Sequence, residues 1–583
     1  MHGHHPPVVE HHIGQEPLVA PKQATGHQGN GKAVTDAAVC DRSGSGFRVM
    51  KGFEPLQGPS PWAKEERSRG TRVVKIIGSR SRTVNLSRAG RAGLPRQSPG
   101  VSLARRQGRA IEMRASATVL ENVFMPNKGL HSLSPWTVPI IGFLGLILTG
   151  SALLLAFPTA RGDHIPAVDA LFMATSATCV TGLSLYDIGR EFTLGGQLTI
   201  LGLIQTGGLG IMLFSTVFLM VLGRGVTFRS RFLLQDIYTH GPSADLLNFL
   251  KHILLFTVAF ESLGTLALFV RFLDRFEPLQ AFYLAAFHAV SAFCNAGFSL
   301  FSDSLMAYVS DATVNVTVAG LIIAGGLGFL VLYEVRRIFT APQGGHLLLR
   351  WRRLSLHTKL VLVMTSALLA GGTAFFLMTE WSGVLRPLPA ADRLLAAFFQ
   401  STTTRTAGFN TLDFSAMTNV TLMGTIILMF IGASPGSAGG GIKTTTLGVL
   451  VALSRTRIGG TPMVHAFKRS ISEETINRAF GVTVLSLLIV TIGTVLVLLM
   501  ETGSVPFPQS RGRFMEILFE TTSAFGTVGL SMGITPTLGT WSKVILSVIM
   551  FTGRLGPLVI AMAITAREVK GHYVYAEEPV MIG

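Results

Sequence analysis

Charge is scarce in this chain. Only 14% of its 583 residues are Asp, Glu, Lys or Arg, where a soluble protein carries about 25%. The sequence also holds no His-Glu-x-x-His metal motif, no nucleophile elbow and no phosphate loop, so the commonest hydrolase and nucleotide chemistries have no carrier. Its three cysteines, Cys40, Cys179 and Cys294, cannot build a disulfide framework. Cys179 and Cys294 read as small packing residues. What remains is apolar: 48% hydrophobic residues, a mean hydropathy of +0.47, and several runs near the roughly 20 residues that a membrane helix needs. The chain reads as an all-α integral membrane protein and not as an enzyme.

The net charge of +17 would suggest a nucleic-acid partner if it were evenly spread, but it is not. Residues 1–113 carry +10, and the other 470 residues carry +7. Positive charge gathers in the cytoplasmic loops of membrane proteins, so no nucleic-acid partner is expected. Residues 1–130 lack a hydrophobic period and are rich in Gly, Pro, Ser, Arg and His. Such a composition buries too little apolar surface to offset chain entropy. Two readings stay open: a disordered basic extension, in which residues 67–109 meet anionic lipid, or translation that begins at Met113 or Met125.

One pattern occurs four times. Thr175-Ser-Ala-Thr-Cys-Val-Thr-Gly-Leu-Ser184 is followed by Val290-Ser-Ala-Phe-Cys-Asn-Ala-Gly-Phe-Ser299, Ser401-Thr-Thr-Thr-Arg-Thr-Ala-Gly-Phe-Asn410 and Thr522-Ser-Ala-Phe-Gly-Thr-Val-Gly-Leu-Ser531. Gly182, Gly297, Gly408 and Gly529 are separated by 115, 111 and 121 residues. Each segment resembles a degenerate channel filter, in which backbone carbonyls replace an ion's water shell. The filter candidates are Val180, Thr181 and Gly182; Asn295, Ala296 and Gly297; Thr406, Ala407 and Gly408; and Thr527, Val528 and Gly529. Asn295-Ala-Gly297 departs most from the channel pattern.

Around each filter the order is long apolar helix, short helix, glycine turn, long apolar helix. Spans are expected at about 136–157 and 196–222, 252–273 and 312–334, 358–379 and from 417, and 480–500 and 540–565. Short helices follow Pro166, Pro278, Pro389 and Pro508, since proline suits a helix's first turn. At 12–15 residues they reach roughly 20 Å, too short to cross a core of about 30 Å. The expected fold is therefore four helix–pore-helix–helix repeats, with eight spans and four re-entrant helices around one central pore. The repeats occupy 131–223, 224–340, 341–457 and 458–570, with a tail at 571–583. Arg336, Arg337, Arg350, Arg352, Arg353 and Lys359 crowd one inter-repeat loop without an acid, which puts the filters outside and both termini in the cytoplasm.

The second helix of the third repeat is interrupted by Gly432-Ala-Ser-Pro-Gly-Ser-Ala-Gly-Gly-Gly-Ile-Lys443. Pro435 breaks the helix, and Gly436, Gly439, Gly440 and Gly441 leave a pliable loop at membrane depth. It reads as a gate beneath the filter, and Lys443 at its end either acts on cations or carboxylates there, as a gate residue, or snorkels to the interface. Arg554 lies in an apolar span, where charge is a functional hypothesis by default. It repels cations at the gate or pairs with a carboxylate such as Glu520. Asp169 and Glu516 read as helix-dipole partners, and the Gly-Gly-Leu-Gly runs as close helix packing.

With these motifs the chain resembles the Trk/Ktr/HKT superfamily of potassium transporters, and within it the membrane subunits of bacterial Ktr systems. The resemblance covers about residues 130–583. It rests on Gln205-Thr-Gly-Gly-Leu-Gly210, Gly325-Gly-Leu-Gly-Phe329, Gly436-Ser-Ala-Gly-Gly-Gly-Ile-Lys-Thr444, Phe551-Thr-Gly-Arg-Leu-Gly-Pro557 and Glu577-Glu-Pro-Val-Met-Ile-Gly583. It implies a homodimer in the bacterial cytoplasmic membrane, one pore per protomer, and a KtrA-type cytosolic nucleotide-binding subunit. ATP or ADP would bind only that partner. Glycine at Gly182 implies potassium as the transported ion, with sodium dependence as a further expectation and no covalent cofactor. The alternative is a secondary cation transporter with rocking halves, which predicts two related halves and intramembrane carboxylates.

Overall fold

The computed structural model describes residues 137–157, 159, 162–210, 246–340, 347–461 and 463–557. The expected basic extension, the far end of the span at 196–222, the boundary at 223, the end of the span at 540–565 and the tail 571–583 lie outside them.

The described chain is helical apart from one two-stranded hairpin, β1 (His465–Ala466) and β2 (Arg469–Ser470). Four helices are long and apolar enough to cross a membrane: α1 (Thr137–Ala156), α5 (Leu246–Phe272), α10 (Leu356–Glu380) and α14 (Glu473–Thr502). Only 22–39% of their most apolar windows is buried. Leu263, Leu266, Leu487 and Leu488 face outward, the reverse of a soluble helix and what lipid contact requires.

Four shorter helices form the interior: α2 (Ala167–Thr178), α6 (Pro278–Phe293), α11 (Ala390–Thr403) and α15 (Arg513–Gly526). Pro166 and Pro389 occupy the N-cap of α2 and α11, and Pro278 opens α6. The fourth start was misplaced. Pro508 sits in a 3₁₀ turn, and α15 begins five residues later behind Gly512, whose φ of +89° no proline could adopt. Phe172, Phe287, Phe399 and Phe519 of these helices are fully buried, so the filter-like segments hang from the best-packed part of the molecule.

The helices that follow the glycine turns are α4 (Leu194–Gly208, after the single turn α3, Ile188–Glu191), α7 (Ala312–Leu327), α12 (Asn419–Phe430) and α16 (Thr540–Leu555). They pack in a cycle: α4 on α6, α7 on α11, α12 on α15, and α16 back on α2. The last contact joins the end of the described chain to its beginning.

The span expected at 312–334 is not continuous. It breaks at Gly328, and α8 (Phe329–Thr340) leaves at 97° to α7. Gly328 has φ +91°, and a β-carbon there would lie 2.6 Å from the Pro435 carbonyl oxygen. Gly210 and Gly556, the last glycines of the matching motifs, have φ +87°. The first glycines behave as expected: a methyl on Gly207, Gly325 or Gly553 would overlap the carbonyl oxygens of Thr178, Phe293 or Phe525. The motif in the second repeat therefore both docks the helix onto the short one and breaks it. Further on, α9 (Leu347–Arg353) leads into α10, and α13 (Thr444–Ile458) resumes after the loop that interrupts the third repeat.

Candidate functional site

Each short helix ends in the same local conformation. Val180, Asn295, Thr406 and Thr527 take left-handed φ values of 58°, 58°, 65° and 50°. Two residues later come Gly182, Gly297, Gly408 and Gly529, with φ of 97°, 71°, 76° and 87°. A left-handed conformation at β-branched Val or Thr costs on the order of 1–3 kcal/mol, and here it occurs three times in matched places. The residue between is tied back to the helix end. Thr181, Ala296 and Val528 donate their N–H to the carbonyls of Ser176, Ser291 and Ser523 at 2.8, 2.7 and 2.8 Å, and Ala407 donates to Thr403 at 3.0 Å.

The four turns meet. A β-carbon on Gly297 would fall 2.6 Å from the Ala407 carbonyl oxygen, and one on Gly408 2.7 Å from that of Val528. On Gly182 it would strike the carbonyl of Ala296, and on Gly529 that of Thr181. Each glycine therefore packs against the carbonyl preceding the next glycine, and the contacts close into a ring. All twelve sequence-selected residues lie in or beside it, with Thr181, Asn295, Thr406 and Thr527 fully buried.

The interrupting segment of the third repeat lies against this ring. Gly440 donates its N–H to Thr527 Oγ1 at 3.0 Å, and a β-carbon on Gly439 would strike Thr406 Oγ1. The loop is pinned to α7 by Ser434 and Ala438, whose N–H groups reach the carbonyls of Gly326 and Gly325 at 3.1 and 3.2 Å. The Phe329 N–H reaches the Gly436 carbonyl at 3.1 Å, and Gly436 and Gly441 have φ of 71° and 67°.

Arg554 is buried, and its guanidinium donates to the carbonyl oxygens of Ala438 in this loop and Gly207 in α4. Glu520, one of the two alternatives raised for Arg554, instead accepts from the Thr535 hydroxyl, so that pairing is not formed. The two carbonyls engage Nη1 and Nη2, while the buried Nε has no hydrogen-bond partner among the described residues. Lys443 is half-buried and donates to the Gly439 carbonyl at 2.7 Å, so of the alternatives raised for it, snorkelling is not what the structure shows.

Asp169 is more than a dipole partner. It accepts from Lys543 of α16 at 2.7 Å and from the Tyr186 hydroxyl at 2.6 Å. Burial, and then the bond to Asp169, push the Tyr186 hydroxyl above its ordinary range and keep it a donor. Lys543 was missed because 374 residues separate the pair. Glu516 pairs with Arg513 at 3.1 Å on the same helix. Cys179 and Cys294 are buried free thiols, as expected, and Cys294 Sγ lies 3.5 Å from Gln205 Oε1.

Chemically, the ring presents uncharged backbone oxygen from four chain segments. Such a set suits a weakly held, partly dehydrated monovalent cation.

Residues 142–570 match the family described as TrkH, cation transport protein. The chain is 40% identical to the Ktr system potassium uptake protein B of Bacillus subtilis over 75% of its own length and 94% of that protein. It is 36% identical to the potassium/sodium uptake protein NtpJ of Enterococcus hirae, covering 77% of this chain and 98% of the relative. Among solved structures, the potassium transporter TrkH of Vibrio parahaemolyticus superposes with a TM-score of 0.56 at 19% identity, over 75% of this chain and 86% of the other. That last likeness concerns the fold.

Proposed function

This chain belongs to the TrkH family of cation transport proteins, and from that premise we propose that it is a potassium uptake transporter of Ktr/Trk type whose ions pass through the ring of Gly182, Gly297, Gly408 and Gly529. The observation that carries this reading is the closure of the ring, because four non-contiguous segments meet through backbone alone. The carbonyls of Val180 to Gly182, Asn295 to Gly297, Thr406 to Gly408 and Thr527 to Gly529 form the selectivity filter. Full repeats would supply eight spanning segments and four re-entrant helices, with the second segments of repeats two and three broken within the membrane and those of repeats one and four running beyond the described residues. The domain limits at 130, 223, 340, 457 and 570 divide the chain accordingly.

Gly436, Gly439, Gly440 and Gly441 form the gate, closed against Thr406 and Thr527 and held by Lys443 and Arg554. Uptake is driven by the membrane potential, worth about 2.3 kcal/mol per charge for each 100 mV. Sodium activates it, in keeping with the name of the Enterococcus relative. The protein works as a homodimer in the bacterial cytoplasmic membrane, with the filters outside and both termini inside. A KtrA-type nucleotide-binding subunit regulates it, in keeping with the Ktr system relatives. The cyclic packing of four short helices favours a pore over rocking halves. The test is growth at low potassium of bacteria that lack their own importers. Rescue by the chain, strengthened by sodium and by the co-expressed partner subunit, is expected; failure to rescue in either setting would refute the reading.

A further inference from the structure

Nine residues before each ring glycine, one side chain of the short helix sits behind the turn: Met173, His288, Phe399 and Glu520. Two residues after each glycine comes Ser184, Ser299, Asn410 or Ser531. In the second segment the two positions are joined. His288 is fully buried, with Nδ1 2.7 Å from the Leu284 carbonyl and Nε2 3.0 Å from Ser299 Oγ. A carbonyl can only accept, so Nδ1 carries the hydrogen and Nε2 accepts from the serine hydroxyl. Ser299 Oγ in turn accepts the Phe301 N–H at 2.9 Å. Every polar atom of the pair is satisfied, and the imidazole is fixed in place by a stacked Phe301 ring 4.7 Å away and by Phe272 at 6.1 Å.

The other segments use the same positions with different chemistry. Met173 Sδ accepts the Leu185 N–H at 3.4 Å and lies 3.6 Å from Ser184 Oγ. Glu520 accepts from Thr535, whose Oγ1 lies 3.0 Å from Ser531 Oγ. Phe399 offers no polar atom, and Asn410 bonds forward to the Leu412 carbonyl at 3.2 Å. Across this pair of positions the turn is joined to its helix through imidazole in the second segment and through carboxyl and Thr535 in the fourth, weakly in the first and not in the third. There Thr403 Oγ1 holds the Phe409 carbonyl instead, and in the second segment Ser291 Oγ adds a bond to the Phe298 carbonyl at 2.8 Å.

We propose that His288 is a positioning residue for the second filter segment, and that its bond to Ser299 fixes the Gly297 turn and so sets which monovalent cation the ring prefers. The inference rests on the filter reading above. A carbonyl ring distinguishes cations of different radius through the number and placement of its oxygens, and an unlatched turn lets that placement relax.

The experiment measures the ratio of rubidium to sodium uptake by the full-length protein in importer-deficient cells. Membrane content and melting temperature in detergent are followed alongside. Ser299→Ala and His288→Phe should each lower the ratio by about threefold to tenfold, the range of one hydrogen bond. Their combination should lower it no further, because both remove the same bond, and His288→Gln should recover part of it. If His288→Phe fails to reach the membrane, Ser299→Ala alone decides. An unchanged ratio, additive losses, or a fall in melting temperature without a change in ratio would overturn the latch. Gly182→Ser serves as the filter control. If it moves the ratio while the latch variants do not, the latch fails and the filter stands; if none moves it, both fail.

Discussion

Gly529 rests on the carbonyl of Thr181. The two residues are far apart in sequence, and this contact is where the fourth turn closes onto the first. The backbone at Gly529 has φ +87°, so an alanine there meets both a strained dihedral and an occupied space. Gly512 has φ +89° but open space around it. Gly512→Ala should therefore cost strain alone, about 1–3 kcal/mol, and leave uptake within about twofold. Gly529→Ala should lower it far more. Initial rates of rubidium uptake, normalised to membrane content, check the pair.

The Arg554 guanidinium bridges the gate loop and α4 through two carbonyls. Arg554→Gln removes the fork and releases the loop, so maximal uptake should rise severalfold with little change in KM. Arg554→Lys should fall on the same side, because an ammonium cannot reproduce two planar, diverging donors. Kinetics over a potassium series distinguish this from a loss of binding. A fall in maximal rate in both variants would mean that the loop does not obstruct the path.

Asp169 and Lys543 join the first short helix to α16 at 2.7 Å. Removing one partner leaves a largely buried charge, so Asp169→Asn and Lys543→Met should each destabilise the protein by about 3 kcal/mol. The double variant should lose less than the sum, with a coupling of about 1–3 kcal/mol. Thermal unfolding in detergent measures all four corners of that cycle.

Cys179 and Cys294 are buried and free. In a Cys40→Ser background, a membrane-impermeant thiol reagent should leave the folded protein unlabelled, while two thiols should react after denaturation. Mass spectrometry of the intact chain counts them.

Much of this site was legible because it is built from local turn chemistry repeated four times. Gly182, Gly297, Gly408 and Gly529 announce themselves by spacing, and Pro166, Pro278 and Pro389 mark the helix starts. Pro508 misled because a proline also suits a 3₁₀ turn, and the true start depends on the dihedral at Gly512. The break at Gly328 was hidden because Gly-Gly-Leu-Gly inside an apolar run has the composition of a continuous span. The partners of Arg554 were illegible for another reason. It binds backbone carbonyls, which every residue has, so no residue type in the sequence could point to them. Lys543 carried a visible charge, but nothing local related it to Asp169.

The central claim is that ions pass through the glycine ring, and competitive uptake of rubidium against sodium tests it most directly. The unaltered chain should take up rubidium saturably and in preference to sodium. Gly182→Ser, which adds a side chain against the Ala296 carbonyl, should erase that preference, and Gly408→Asp, which puts a carboxylate into the ring, should collapse the flux. Rates and preference unchanged in both variants, at equal membrane content, would show that the ring is packing and that the ions travel elsewhere.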